Sequence, residues 1–170
     1  APKVNDGTQR GEPFDIVITQ DGINDIITHS NWPVQSEGIM LYAPAALFVP
    51  GTVVLMGTAD VKGVEVVITI EIRPEIEESG LMNLRIAKVK VGAVNVTPLA
   101  KPMAKKMYAE RLAAGNVDTE ALRTKIAASL LNNEPFELVF TVDGTKVRVE
   151  NVDVGQRELK ARLVPVSARR

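Results

Sequence analysis

Cysteine is absent from this chain, which removes disulfides, thiol nucleophiles and thiolate zinc sites together. Histidine is nearly absent. With His29 alone, a histidine-based triad or a multi-histidine metal centre has one imidazole to build on. Aromatic residues make up 4%, too few for a stacking platform that would hold bases or sugars. Neither sign of charge dominates: the net charge is −1 and the pI about 5.9. The basic excess of a nucleic-acid footprint is missing, and no nucleic-acid partner is expected. The longest apolar stretch, Gly38 to Met56, is broken by Pro44, Pro50, Gly51 and Thr52 and does not read as a membrane-spanning helix. The phosphate loops G-x-x-x-x-G-K-[ST] and G-x-G-x-x-G and the nucleophile elbow G-x-S-x-G do not occur. The carboxylates Glu75, Glu77 and Glu78 lack the Asp/Asn and Gly pattern of a calcium loop and read as a solvated hairpin tip. No catalytic residue, metal ligand or cofactor is assigned, and the chain is not expected to be an enzyme.

What the chain has is aliphatic residues in long alternation. Its 170 residues, 45% hydrophobic and 24% charged, suit one domain with a sizeable core. Residues 1–12 are polar and read as a flexible arm or tether, 13–166 as a single α+β domain, and 167–170 as a tail. A short strand at Phe14 hands over through the N-cap Thr19 to a helix from Gln20 to about Ser30. Ile18 and Ile23 stand at staple spacing, Ile23, Ile26 and Ile27 form a stripe to bury, and Pro33 closes the element after Trp32. His29 reads as a helix-end residue.

From Gly38 to about Val96 the pattern predicts strand after strand. Val64, Val66, Ile68, Ile70 and Ile72 share one face, and VKG marks a hairpin turn at Asp60 to Gly63. Leu84 and Ile86 fall on one parity and Val89 and Val91 on the other, which predicts a bulge near Ala87 and Lys88. Ala100, Met103, Ala104, Met107, Tyr108 and Leu112 predict an amphipathic helix ending near Gly115, with Lys101, Lys105 and Lys106 mostly off the stripe. Asp118 is placed to cap a second helix, with Val117 and Leu122 as its staple. Strands return after NNEP, with an Asp143–Gly144 hairpin. The expectation is α+β: a long, bent antiparallel sheet packed against about three helices, in the order β-α-(β meander)-α-α-β-β-β.

The strands carry more aliphatic residues than one buried face needs, since Val67 and Val139 break the polar parity and Met40, Tyr42, Phe48, Val54 and Met56 add a second set. Such a sheet is either covered on both sides or lines a groove for an apolar ligand. Trp32, Val66, Ile68, Ile70, Met103 and Met107 are the candidate lining. The rival reading is a structural or protein-interaction module with a fully packed core and no small ligand.

The run FDIVIT-QDGINDII, then GTADVKGVEVVITIEIRPEIEESGLMNLRIAKVKVGAVNVTP, two helices, and FTVDGTKVRVENVDVGQRELKARL resembles the bacterial YpmS-like proteins and, more distantly, the LmeA-like envelope proteins. The resemblance covers about residues 14 to 165. It implies an extracytoplasmic, noncatalytic domain tethered to a membrane by an N-terminal anchor and related to lipid-handling folds, with lipid or another apolar molecule as ligand. It also implies that Asn24 is structural, bonding from the helix start to a neighbouring strand. The start at Ala1 rather than methionine fits an anchor or leader lost upstream.

Overall fold

β-branched residues in alternation build most of this molecule. A computed structural model of the chain describes residues 11–36, 38–115 and 121–166; the expected tail and nearly all of the expected arm lie outside that range. In chain order the elements are β1 (Phe14–Thr19), α1 (Gln20–Thr28), β2 (Val34–Ser36), β3 (Ile39–Val49), β4 (Thr52–Val61), β5 (Val64–Ile76), β6 (Met82–Val91), β7 (Val94–Asn95), α2 (Thr97–Ala113), α3 (Leu122–Asn132), β8 (Val139–Val142), β9 (Thr145–Val154) and β10 (Glu158–Pro165). The α+β class and the order of elements are those the sequence predicts. The strands divide between two antiparallel sheets, a long six-stranded one in the order β2-β3-β4-β5-β6-β7 and a four-stranded one, β1-β10-β9-β8.

Turn chemistry fixes the register. Lys62 and Gly63 both take positive φ, as do Asp143 and Gly144, the conformation that two-residue hairpins need to match strand twist. Asp60 accepts from the Gly63 N–H at 2.8 Å. Between β5 and β6, Glu71 pairs with Lys88 but Ile72 with Ile86, so Ala87 is the extra residue of a bulge. The consequence is the predicted one: Leu84, Ile86, Val89 and Val91 all come opposite the Pro74, Ile72, Ile70 and Ile68 row of β5. Leu55 opposite Ile70 and Gly57 opposite Ile68 extend the same inner face onto β4.

The core sits at one end of this long sheet. Phe14, Met82, Phe136, Val147, Val149, Ala161 and Leu163 form one buried cluster, with Ile76, Leu84 and Ile126 packed against it. The four-stranded sheet and α3 therefore cover the β5–β6 loop end, whereas the β4–β5 hairpin end projects beyond them. There Val61 and Val64 are exposed, Val64 to 63%. Phe48, grouped from sequence with Met40, Tyr42, Val54 and Met56 as a second set, parts from them: it pairs with Val53 on the inner face and is buried, because the irregular pairing between Tyr42 and Ala45 resets the parity of β3.

Helix α1 bridges the two sheets. Thr19 caps it, accepting from the Gly22 N–H at 3.0 Å, and Asp21 lies in its first turn. The expected buried stripe is corrected: Ile26 is 65% exposed, and the face turned inward is Gln20, Ile23, Asn24 and Ile27. The reason is polar. Asn24 Nδ2 donates to the Ala46 carbonyl at 2.8 Å and its Oδ1 accepts from the Ala46 N–H at 2.7 Å, while Gln20 Oε1 accepts from the Phe48 N–H at 3.0 Å. The helix also ends at Thr28 rather than running to Ser30. Thr28 and Ser30 hydroxyls donate back to the Asn24 and Ile26 carbonyls, satisfying the last turn locally. His29 is the C-cap residue, exposed, its Nδ1 2.7 Å from the Asp25 carbonyl oxygen.

In α3 the first described residue with helical structure is Leu122, preceded by Ala121 without a side-chain cap; Val117 and Asp118 lie outside the described residues. Ser129, 1% exposed, accepts the Leu84 N–H at 2.9 Å.

Replacing Asn24 by Ala leaves both backbone groups of the buried Ala46 unpaired, so a loss of about 2–4 kcal/mol in unfolding free energy is expected from urea denaturation. Asn24→Asp keeps the acceptor but sets a carboxylate against the Ala46 carbonyl, raising that carboxyl's pKa in the folded state. Its extra destabilisation is expected to diminish as the pH falls through that raised pKa.

Candidate functional site

Among the described residues, two hollows border the inner face. One, of about 400 Å³, is bordered by Ile27 and Trp32 from the α1 side, Leu41 and Pro44 of β3, Leu55 and Gly57 of β4, and Ile68 and Ile70 of β5. The other, of about 390 Å³, lies between β6 and the two later helices, with Ile70, Ile86 and Val89 as floor and Ala100, Ala104, Leu130 and Leu131 as wall. Ile70 borders both. Each is within the size range of small-molecule sites, roughly 300–1,000 Å³.

Small residues make this space. Gly57 sits mid-strand, and a Cβ placed there would meet nothing nearer than the Tyr42 carbonyl oxygen at 3.9 Å. On α2, the residues turned toward the sheet are Ala100, Ala104 and Tyr108, four apart; Tyr108 fills its position and is buried, whereas the two alanines border the second hollow together with Ile86 and Val89 of β6. β6 is nevertheless anchored to the start of α2: Thr97 Oγ1 accepts the Val89 N–H at 2.9 Å, and the Val96 N–H donates to the Val89 carbonyl at 2.9 Å.

The residues singled out from sequence divide accordingly. Trp32, Ile68 and Ile70 come together around the first hollow. Val66 lies on the same face, opposite Ala59 and nearer the hairpin, and borders neither hollow. Met103 is corrected: it is 63% exposed and turned away, because the Ala100–Ala104–Tyr108 row takes the inward position on α2. The Met107 side chain lies outside the described residues. Ala100 and Ala104 were expected only as part of the α2 stripe, and Gly57 not as a lining residue, although a lone glycine inside a strand pattern is itself a signal of bulge or close approach.

The polar residues bordering the second hollow are Arg85, Lys101, Lys105 and Asn133, with no carboxylate among them. The Arg85 guanidinium is held 3.6 Å from Glu75, both exposed. On the outer face, Tyr42 donates a short hydrogen bond to the Glu65 carboxylate; that bond, ahead of desolvation and the nearby negative charges of Glu65 and Asp60, pushes the phenol up to about 12. Tyr108 is also raised, first by burial and then by Glu134. Among the described residues no group of three or more His, Cys, Asp or Glu side chains could hold a metal ion. Nor is any described helix long and apolar enough to cross a membrane.

Comparison with protein-family models, with curated proteins and with solved structures finds no match to this chain.

The Tyr42 phenol is expected to ionise near pH 12 in an ultraviolet titration, and Glu65→Gln to bring it back toward the ordinary tyrosine value, since the neutral donor is what the carboxylate favours.

Proposed function

We propose that this protein is a noncatalytic module that binds an apolar, lipid-like molecule along the inner face of its six-stranded sheet. One observation carries the reading: two adjoining hollows with aliphatic floors meet at Ile70 where the sheet outgrows its cover. A face kept apolar but left unfilled by Gly57, Ala100 and Ala104 costs core packing, and an apolar guest supplies the missing contacts. In keeping with the resemblance to YpmS-like and LmeA-like proteins, the proposed setting is extracytoplasmic, at a membrane surface.

A second reading has its own support. Val34, Ile39, Leu41, Val61 and Val64, all on the inner face near the β4–β5 hairpin, are exposed together and would suit a protein partner that covers the projecting end.

Trp32, the chain's one tryptophan, borders the first hollow and serves as the reporter. Primary alcohols of increasing chain length are expected to shift its fluorescence, with affinity rising about fourfold per methylene, from ~0.8 kcal/mol per buried CH₂, until the groove is full. Gly57→Leu fills the first hollow without backbone strain. It is expected to abolish the response of long alcohols while leaving the thermal midpoint unchanged or higher. Long alcohols that bind Gly57→Leu as tightly as wild type, or that do not bind wild type in native mass spectrometry, favour the protein-partner reading.

A further inference from the structure

The second hollow has a charged side as well as an apolar one. Lys101 and Lys105 stand four residues apart on α2, both exposed and both bordering the space, so their side chains are neighbours on one helix face. Neither has a carboxylate partner among the described residues, in contrast to Arg85, whose guanidinium is held toward Glu75. Below them the lining is aliphatic: Ile70, Ile86, Val89, Leu130 and Leu131.

We infer that the occupant of the groove is a single-chain long-chain carboxylate, its head between Lys101 and Lys105 and its tail running over Ile86 and Val89 toward Ile70 and the Trp32 hollow. The inference rests on the apolar-groove reading and adds the head. Two adjoining spaces of about 390 and 400 Å³, joined at one side chain, make a long path suited to one chain rather than to paired chains. Two neighbouring like charges at i and i+4 repel, and an anion between them removes the repulsion while its tail is taken out of water. Because both lysines are exposed, the gain from charge is modest and falls with salt. The tail supplies most of the affinity, and the head sets which amphiphile is preferred and which way round it lies.

Oleate, oleyl alcohol and oleoyl lysophosphatidic acid, each below its aggregation concentration at pH 8, separate the alternatives through Trp32 fluorescence and native mass spectrometry. Oleate is expected to bind about tenfold more tightly than oleyl alcohol at low ionic strength, with the gap closing as salt is raised. In the double variant Lys101→Gln/Lys105→Gln, oleate is expected to fall to the level of the alcohol while alcohol binding and the thermal midpoint stay unchanged. Lys106→Gln, whose residue borders neither hollow, is expected to leave all three ligands unaffected. Equal binding of oleate and oleyl alcohol to wild type overturns the carboxylate assignment and leaves the apolar groove standing. Tighter binding of lysophosphatidic acid than of oleate overturns it in favour of a phosphate head. Binding of none of the three overturns the groove reading and this inference with it.

Discussion

The side-chain amide of Asn24 does the work of a missing strand. A β-strand at the edge of a sheet presents N–H and C=O groups in pairs, and Ala46, 1% exposed, finds both its partners in one asparagine. Gln20 does the same for the Phe48 N–H, and the Arg157 N–H completes Phe48 from the other sheet. Since α1 follows directly from β1, these bonds tie the four-stranded sheet to the edge of the six-stranded one. The chain thereby ends pairing on that side of β3. The opposite edge is treated likewise: Ser129 and Thr97 hydroxyls accept the Leu84 and Val89 N–H groups, and Phe136 forms a bridge with Met82.

With β3 tied off by Asn24 and Gln20 and β6 by Ser129 and Thr97, the long sheet does not need its whole inner face buried to be specified. The core closes around Met82, Phe136, Val147 and Leu163, and strands β3 to β6 continue past it on backbone pairing and turn chemistry. The bulge at Ala87 keeps the apolar row facing inward over that extension. A covered end supplies cohesion and a projecting end supplies surface, and the hollows lie at the boundary between them.

Much of this was legible in the sequence where the physics is local. Thr19 as a cap, the Asp60 and Asp143 turns and the parity break at Ala87 each follow from a few neighbouring residues. The division of the strands into two sheets was not legible, because Phe14 and Leu163 meet across nearly the whole chain and no local pattern records that pairing. The helix faces misled for a related reason. Ile26 and Met103 carry the hydrophobicity, but Asn24 and the pair Ala100 and Ala104 decide which side docks. Asn24 does so by hydrogen bonds, which no apolar stripe records, and the alanines by being small, so that the predicted stripe holds Ala100, Ala104 and Tyr108 without marking them off from Met103. Of the six expected lining residues, Trp32, Ile68 and Ile70 converge because strand periodicity placed two of them and the helix-to-strand turn placed the third. The glycine and alanines that create the space are visible only once their neighbours are known.

Ile70 is the one side chain that borders both hollows, and its β-branched side chain is stiff about χ1. It divides the path like a sill between two rooms. A guest of the proposed kind would lodge on either side without disturbing it if short, and would have to cross it if long, drawing both halves into a single occupied state. On the proposed reading, the two ends of the groove, one built from the meander and one from the later helices, become coupled only when the guest is long enough to reach across.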